Sequence, residues 1–338
     1  MSTDYLRWGI LAAGGIAHKF ADALNSLPCA RLCAIGSRSK EKALAFGAEH
    51  GIDPEHCFGS YEELVSCPDI DVIYIASPHS HHALHAHLAL DGGKHVFAEK
   101  SFTLTPKEAL GVFEKAKARG LFSAEAMWTR FLPANVELMR LIDSGQLGDI
   151  HIATAAFSSH FPDDLPPTHR VIDPKLGGGA LMDMGVYSSA WVSMLMHDDD
   201  PATLFATGAM YAPTGCDERA TVVCKYASGP ETVASCGIKT RMDATGYVCC
   251  EKGTVTVPDF WNAMSFSVHT NDGKTWEFAP GRNEMGFVYE IQSVTADILA
   301  GRTESSVMPH RSTLRVQRTL EFARHTLGFY YPVETEER

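Results

Sequence analysis

Two short stretches of this 338-residue chain carry side chains suited to moving a proton. Glu99-Lys100 closes the apolar run His95–Ala98. A lysine on the lip of an apolar strand is driven toward its neutral, proton-accepting form by desolvation and by a positive charge held beside it, and Glu99 stands next to it as a support. Standing alone, the dipeptide reads equally well as a surface ion pair. The second stretch, Gly177-Gly178-Gly179-Ala180-Leu181-Met182-Asp183-Met184-Gly185-Val186-Tyr187, is a glycine-rich loop opening a helix. Asp183 and Tyr187 are four residues apart and share one helix face, so a carboxylate and a phenol point at one spot, where they orient and deprotonate an alcohol. A buried tyrosine with an aspartate near the positive helix end is the plainer alternative.

A third stretch suits phosphate. Arg7–Leu11 reads as a strand running into Ala12-Ala13-Gly14-Gly15-Ile16-Ala17 and then a helix. Against G-x-G-x-x-G/A, Ala12 takes the first position, Gly14 the second and Ala17 the third. Backbone must approach a pyrophosphate at Gly14, and the helix N-terminus around Ala13, Gly14, Gly15 and Ile16 offers N–H groups to it. At the end of the next strand, an NAD site usually has an acidic residue for the ribose hydroxyls. Here the chain reads Gly36-Ser37-Arg38-Ser39-Lys40, with no acid before Glu41. Ser37 and Arg38 suit a 2′-phosphate, so NADP(H) is expected over NAD.

The elements that must position these groups follow a βαβ rhythm: strands at 7–11, 30–36, 72–76, 95–98 and 122–126 alternate with helices at 16–27, 40–50, 62–66, 80–90 and 106–119. The rhythm predicts a Rossmann domain, a doubly wound parallel α/β sheet, over residues 1–126. Beyond it, strands at 150–161, 204–211, 219–227, 231–239, 244–257 and 264–270, with turns such as Asn271-Asp272-Gly273, predict an α+β domain over 127–338 with a large, mostly antiparallel open sheet. Helices near 286–300 and 312–327 close the chain and are candidates to pack back on the first domain.

The bulk composition excludes several classes. A formal charge of −12 disfavours nucleic acid and anionic membranes as partners. No run is long enough to span a bilayer, and nine cysteines without a C-x-x-C pair read as buried thiols of a cytoplasmic protein. His81 and His85 have metal-ligand spacing, but no carboxylate or cysteine joins them locally, so no metal is expected in the reaction.

Taken together, the motifs resemble the glucose–fructose oxidoreductase / inositol dehydrogenase (Gfo/Idh/MocA) family across essentially the whole chain. They are Trp8-Gly9-Ile10-Leu11…Gly14, Tyr61-Glu62-Glu63-Leu64, Pro78-His79…His82, Glu99-Lys100, Glu125–Phe131, Gly177–Tyr187, Tyr289-Glu290-Ile291, Glu304-Ser305 and Met308-Pro309. The set is similar to the branch holding dimeric dihydrodiol dehydrogenases and NADP-dependent D-xylose 1-dehydrogenases. The resemblance implies that Lys100 and Tyr187 transfer the proton while Asp183 positions the substrate. It implies that Ser77, Pro78, His79, His82 and Glu99 lie along the nicotinamide, that Trp128, Arg130 and Arg170 frame the substrate pocket, and that the C-terminal sheet builds a homodimer or homotetramer. Ser101 stands where many relatives have proline.

The expected reaction is hydride transfer between NADP(H) and a hydroxyl-bearing carbon of an aldose or cyclic polyol, an aldose giving a lactone. A trans-dihydrodiol giving a catechol is the alternative substrate. A non-catalytic NADP(H) sensor and a lyase using a transient redox step are alternatives of other classes. Lys100 and Tyr187 count against the sensor, which needs neither.

Overall fold

The computed structural model describes residues 5–281 and 283–335. In chain order the elements are β1 (Leu6–Leu11), α1 (Gly15–Asn25), β2 (Ala30–Gly36), α2 (Lys40–His50), β3 (Cys57–Phe58), α3 (Tyr61–Ser66), β4 (Val72–Ile75), α4 (His82–Asp91), β5 (His95–Glu99), α5 (Pro106–Ala118) and β6 (Ser123–Ala126). There follow α6 (Pro133–Asp143), β7 (Ile150–Ser158), a π-helical turn at Leu181–Gly185, α7 (Val186–Leu195), β8 (Thr203–Tyr211), β9 (Cys216–Lys225) and β10 (Glu231–Gly237). The chain continues through β11 (Gly246–Cys250), β12 (Gly253–Val257), β13 (Phe266–Thr270), β14 (Thr275–Phe278), α8 (Phe287–Leu299) and α9 (His310–Thr326).

Two compact units emerge. The first comprises the chain up to Thr103, with Lys107–Trp128 and Asn283–His310; the second comprises Leu104–Pro106, residues 129–281 and the chain from Arg311 on. In the first, six strands pair in parallel in the order β3-β2-β1-β4-β5-β6. With helices over the sheet, β4 is buried at every residue, which is why Val-Ile-Tyr-Ile reads as an unbroken apolar run. The order reverses direction between β1 and β4, and in such sheets ligands lie outside the carboxyl ends at that point. Helix α8 lends Val288, Ile291, Val294 and Ile298 to the core formed by Trp8, Phe20, Tyr74 and Phe97.

The second unit is built on an eight-stranded sheet ordered β14-β13-β12-β11-β7-β10-β9-β8. Its pairs are antiparallel except β7 with β10, which run parallel. Helix α7 lies against β7 and β10 and is buried along its whole length. The strand expected over 244–257 is two strands, β11 and β12, turned at Glu251-Lys252. Among the described residues no helix is long and apolar enough to cross a membrane, and all nine cysteines are free thiols.

Candidate active site

The first unit gathers most of the expected cofactor residues at the carboxyl ends of its strands. β1 ends in a turn in which Ala12 adopts φ +82°, a left-handed conformation that favours glycine, while its N–H donates to the Gly36 carbonyl at 2.9 Å. Helix α1 begins at Gly15 with Gly14 as its N-cap, no capping side chain and no acidic residue in its first turn. A Cβ at Gly14 would come only within 3.9 Å of the Ala76 carbonyl, and one at Gly15 would meet nothing within 4 Å. The space above the turn is therefore open, and the uncapped end of α1 aims its N–H groups there, which fits a pyrophosphate.

At the end of β2, Ser37 is buried and Arg38 exposed. Glu41 is occupied by the Ser39 hydroxyl at 2.7 Å, and among the described residues no carboxylate forms an ion pair with Arg38. An unclaimed guanidinium at this strand end fits a 2′-phosphate.

Three histidines hold the segments beyond β4 and β5. His82 is fully buried, with Nε2 2.7 Å from the Ser77 carbonyl and Nδ1 2.9 Å from that of Ser101. His79 Nε2 lies 3.2 Å from the Lys100 carbonyl, and His85 Nδ1 2.8 Å from the Ser77 hydroxyl. His82 thus sits beneath the expected nicotinamide segment as a clamp tying Ser77 to the Lys100-Ser101 pair, whose joining peptide is cis. Burial lowers the pKa of His82 and takes that of His85 down to about 4, so both favour the neutral ring.

Lys100 follows β5 and is half-buried. The Phe102 N–H donates to Glu125 Oε1 at 3.1 Å, fixing the chain just past the lysine. Glu99 is buried and accepts a hydrogen bond from the Tyr74 hydroxyl, with the Tyr74 ring stacked on Phe20. Trp128 stacks on Phe287 with centroids 5.1 Å apart.

In the second unit, Asp183 lies within a π-helical turn that runs into α7, where Tyr187 is the second residue, rather than in a regular first α-turn. The wider turn rotates the two side chains relative to the i, i+4 geometry expected from spacing. Asp183 is buried and accepts from Arg170 Nη1 at 3.0 Å, while the Arg170 side chain remains half-exposed. The Tyr187 ring is met edge-on by Phe157 at 5.4 Å and Trp261 at 6.0 Å, and those two stack on each other at 4.8 Å. The turn is seated by Asp217, a buried carboxylate that accepts the Leu181 N–H at 2.6 Å. Gly179, at φ +132°, leaves room for that carboxylate, because a Cβ there would overlap Asp217 Oδ1.

Arg130 departs from expectation. It is 3% exposed, with Nη1 and Nη2 on Asp198 at 2.8 and 2.6 Å and Nη2 also on the Ala190 carbonyl at 2.9 Å. A guanidinium so committed braces α7 and the turn after it; it does not face a ligand. Phe157, Asp217 and Glu125 within strands and Trp261 in the short 3-10 turn Phe260–Asn262 do not stand out in the sequence as site residues, since an aromatic or acid there carries no local signal of what it will face.

The description "Oxidoreductase family, NAD-binding Rossmann fold" matches residues 6–125, and "GFO/IDH/MocA C-terminal domain" matches residues 136–256. The trans-1,2-dihydrobenzene-1,2-diol dehydrogenase of Danio rerio is 32% identical, over 98% of this chain and 99% of its own. The D-xylose 1-dehydrogenase (NADP(+)) of Hypocrea jecorina is 30% identical, over 97% of this chain and 93% of its own. Among solved structures, the aldose-aldose oxidoreductase of Caulobacter crescentus superposes with a TM-score of 0.87 at 21% identity, covering 96% of this chain and 98% of its own.

Proposed function

Because the chain belongs to the Gfo/Idh/MocA family of oxidoreductases, we propose that it is an NADP-dependent dehydrogenase that oxidises a hydroxyl-bearing carbon of an aldose or cyclic polyol, an aldose giving a lactone. The observation that carries this reading is Lys100: half-buried past β5, with its own carbonyl and that of Ser101 held by His79 and His82. A base held by its backbone keeps a fixed position for proton transfer.

When bound, the nicotinamide dinucleotide supplies the hydride acceptor. The N-terminus of α1 would hold its pyrophosphate, and Ser37 with Arg38 its 2′-phosphate; the open turn at Gly14 and the unpaired Arg38 support this assignment. Lys100 takes the hydroxyl proton as the substrate carbon loses its hydride, and Tyr187 shares in that transfer. Asp183, oriented by Arg170, accepts hydrogen bonds from neighbouring substrate hydroxyls. Glu99 stands beside the lysine in sequence and is fixed by a hydrogen bond from Tyr74.

A second substrate class has an observation in its favour. The aromatic wall of Phe157 and Trp261 beside Tyr187 suits a flat carbocycle, as a trans-dihydrodiol presents. Relatives named for each substrate align over nearly the whole chain.

The second unit's sheet is the proposed seat of a homodimer or homotetramer, since Ile152, Phe205 and Tyr247 stand exposed on its strands. The free thiols fit a reducing, cytoplasmic setting.

The test is reduced-nicotinamide absorbance with NADP⁺ against pentoses, hexoses, inositols and trans-dihydrodiols, with Lys100→Met as control. Turnover on one class, lost in the variant, is the expected result. Binding of NADPH without turnover on any of them would replace the enzyme with a sensor or a lyase.

A further inference from the structure

Away from the reacting groups, the first unit carries a separate cluster of ligating side chains. His18 lies on α1, and Glu49 and His50 are the last two residues of α2. His18 Nδ1 is 2.9 Å from His50 Nε2 and 3.2 Å from Glu49 Oε2, and His50 Nε2 is 3.8 Å from Glu49 Oε1. A tetrahedral Zn²⁺ with ligands at roughly 2.0–2.1 Å spaces its donor atoms about 3.3 Å apart, and the three observed contacts, made by the two rings with each other and with different oxygens of the one Glu49 carboxylate, bracket that spacing. We propose that His18, Glu49 and His50 form a divalent transition-metal site of the two-imidazole, one-carboxylate kind, taking Zn²⁺ or Co²⁺ with an open position for water.

Three further observations point the same way. The far nitrogen of His50, Nδ1, lies 3.4 Å from Asp22 Oδ1, one helical turn beyond His18 on α1. An outer carboxylate in that place accepts from an Nδ1–H and leaves the Nε2 lone pair for an ion. Both rings pack on Phe46, with centroids 4.6 Å away for His18 and 4.4 Å for His50, so the donors are oriented before any ion arrives. The His50 side chain is 3% exposed, but those of His18 at 36% and Glu49 at 60% reach solvent, which gives the ion an entry path.

Two other triplets have comparable spacing, His56/Cys67/Asp69 and Glu321/His325/Glu334. In each, a guanidinium already sits on a carboxylate: Arg7 is 3.4 Å from Asp69, and Arg324 is 2.6 Å from Glu334. A fixed cation competes for the carboxylate and repels a divalent ion. Among the described residues, the ion pairs made by Glu49 and Asp22 go to the two histidines alone. The 2.9 Å contact between the two rings is a hydrogen bond that an ion placed between them replaces. Bound there, the ion staples α1 to the end of α2, tying the helix that opens at Gly14 to the one that follows Arg38.

The experiment titrates chelator-treated full-length protein with Co²⁺, followed by visible absorption, and melts it with and without Zn²⁺. We expect one equivalent of Co²⁺ with the bands of four- or five-coordinate metal, and a rise in Tm of about 5 °C at a Zn²⁺ concentration near 100 times Kd. Both responses disappear in His18→Gln and in Glu49→Gln; without metal the exposed Glu49 variant melts within about 1 °C of the parent and the half-buried His18 variant within about 3 °C. His325→Gln keeps both. A spectrum like that of the aqueous six-coordinate ion, an undiminished Zn²⁺ response in His18→Gln, or its loss in His325→Gln overturns the assignment.

Discussion

Replacing Arg130 by methionine separates two readings of that residue, because a pocket wall and an internal brace fail in different assays. The Asp198 carboxylate is 7% exposed and receives Arg130 twice, the Ser193 hydroxyl at 2.8 Å and the Ser312 hydroxyl at 2.5 Å. Burial alone would raise its pKa; the guanidinium charge and these hydrogen bonds override burial and hold it well below the usual range. Arg130→Met keeps the bulk and removes the charge, leaving an uncompensated buried carboxylate at a loss of about 3–5 kcal/mol. For a domain of this size that is a fall in Tm of roughly 10 °C.

The pH dependence gives a second handle on the same residue. In the parent, the depressed Asp198 pKa contributes stability that is present above about pH 4 and lost as pH falls toward the folded value. In the variant, burial is no longer offset by the guanidinium and the folded pKa rises, so this group's contribution is lost as pH climbs instead. The gap between the two proteins is therefore widest near pH 7 and narrows toward pH 4. Thermal melts across that range make the measurement, with Arg130→Met/Asp198→Leu as partner, since replacing both charges by apolar groups recovers most of the loss. A variant that melts within about 2 °C of the parent at pH 7 but binds substrate more weakly would refute the brace and restore Arg130 to the pocket.

Arg38→Asp should move the ratio of kcat/KM for NADP⁺ over NAD⁺ down by at least about tenfold, the equivalent of one lost charge-assisted hydrogen bond; an unchanged ratio rejects the 2′-phosphate assignment. Lys100→Met should reduce kcat by about 100-fold or more while NADPH fluorescence titration still shows binding. Asp217, fully buried, has its pKa pushed up to about 6 by desolvation. With the folded value raised, its contribution to stability is full below about pH 4 and lost as pH rises through 6, so Asp217→Asn should flatten the parent's decline in Tm between pH 4 and 7. Ala12→Gly should stabilise the first unit by up to about 1 kcal/mol in urea unfolding, since glycine relieves the left-handed backbone strain.

How much could be read in advance depended on whether the deciding contact was local. The parallel sheet was legible because strands covered on both faces must be apolar throughout, as at Val72–Ile75, and the turn at Gly14 because a strand, a tight bend and a helix follow one another directly. The two-residue β3 has no period to detect, and β14, alternately half-buried and exposed at Thr-Trp-Glu-Phe, looks like any amphipathic loop until β13 pairs with it. The parallel pairing of β7 with β10 joins residues nearly 80 apart, and no local pattern announces it. At the site the same division holds. Lys100, Asp183 and Tyr187 stood out by residue type and neighbours, whereas the partners that define Arg130 and His82 lie 68 and 19 residues away.

His82 shows what this does to an assignment. A histidine beside Pro78 invites a direct role on a cofactor, yet both of its ring nitrogens face carbonyl oxygens, which only accept. Two full hydrogen bonds would require the imidazolium, and burial in this position works against that charge. The neutral ring holds one carbonyl firmly and the other weakly. The residue therefore acts on the chemistry through the backbone of Ser77 and Ser101, by setting where the chain carrying Lys100 can lie.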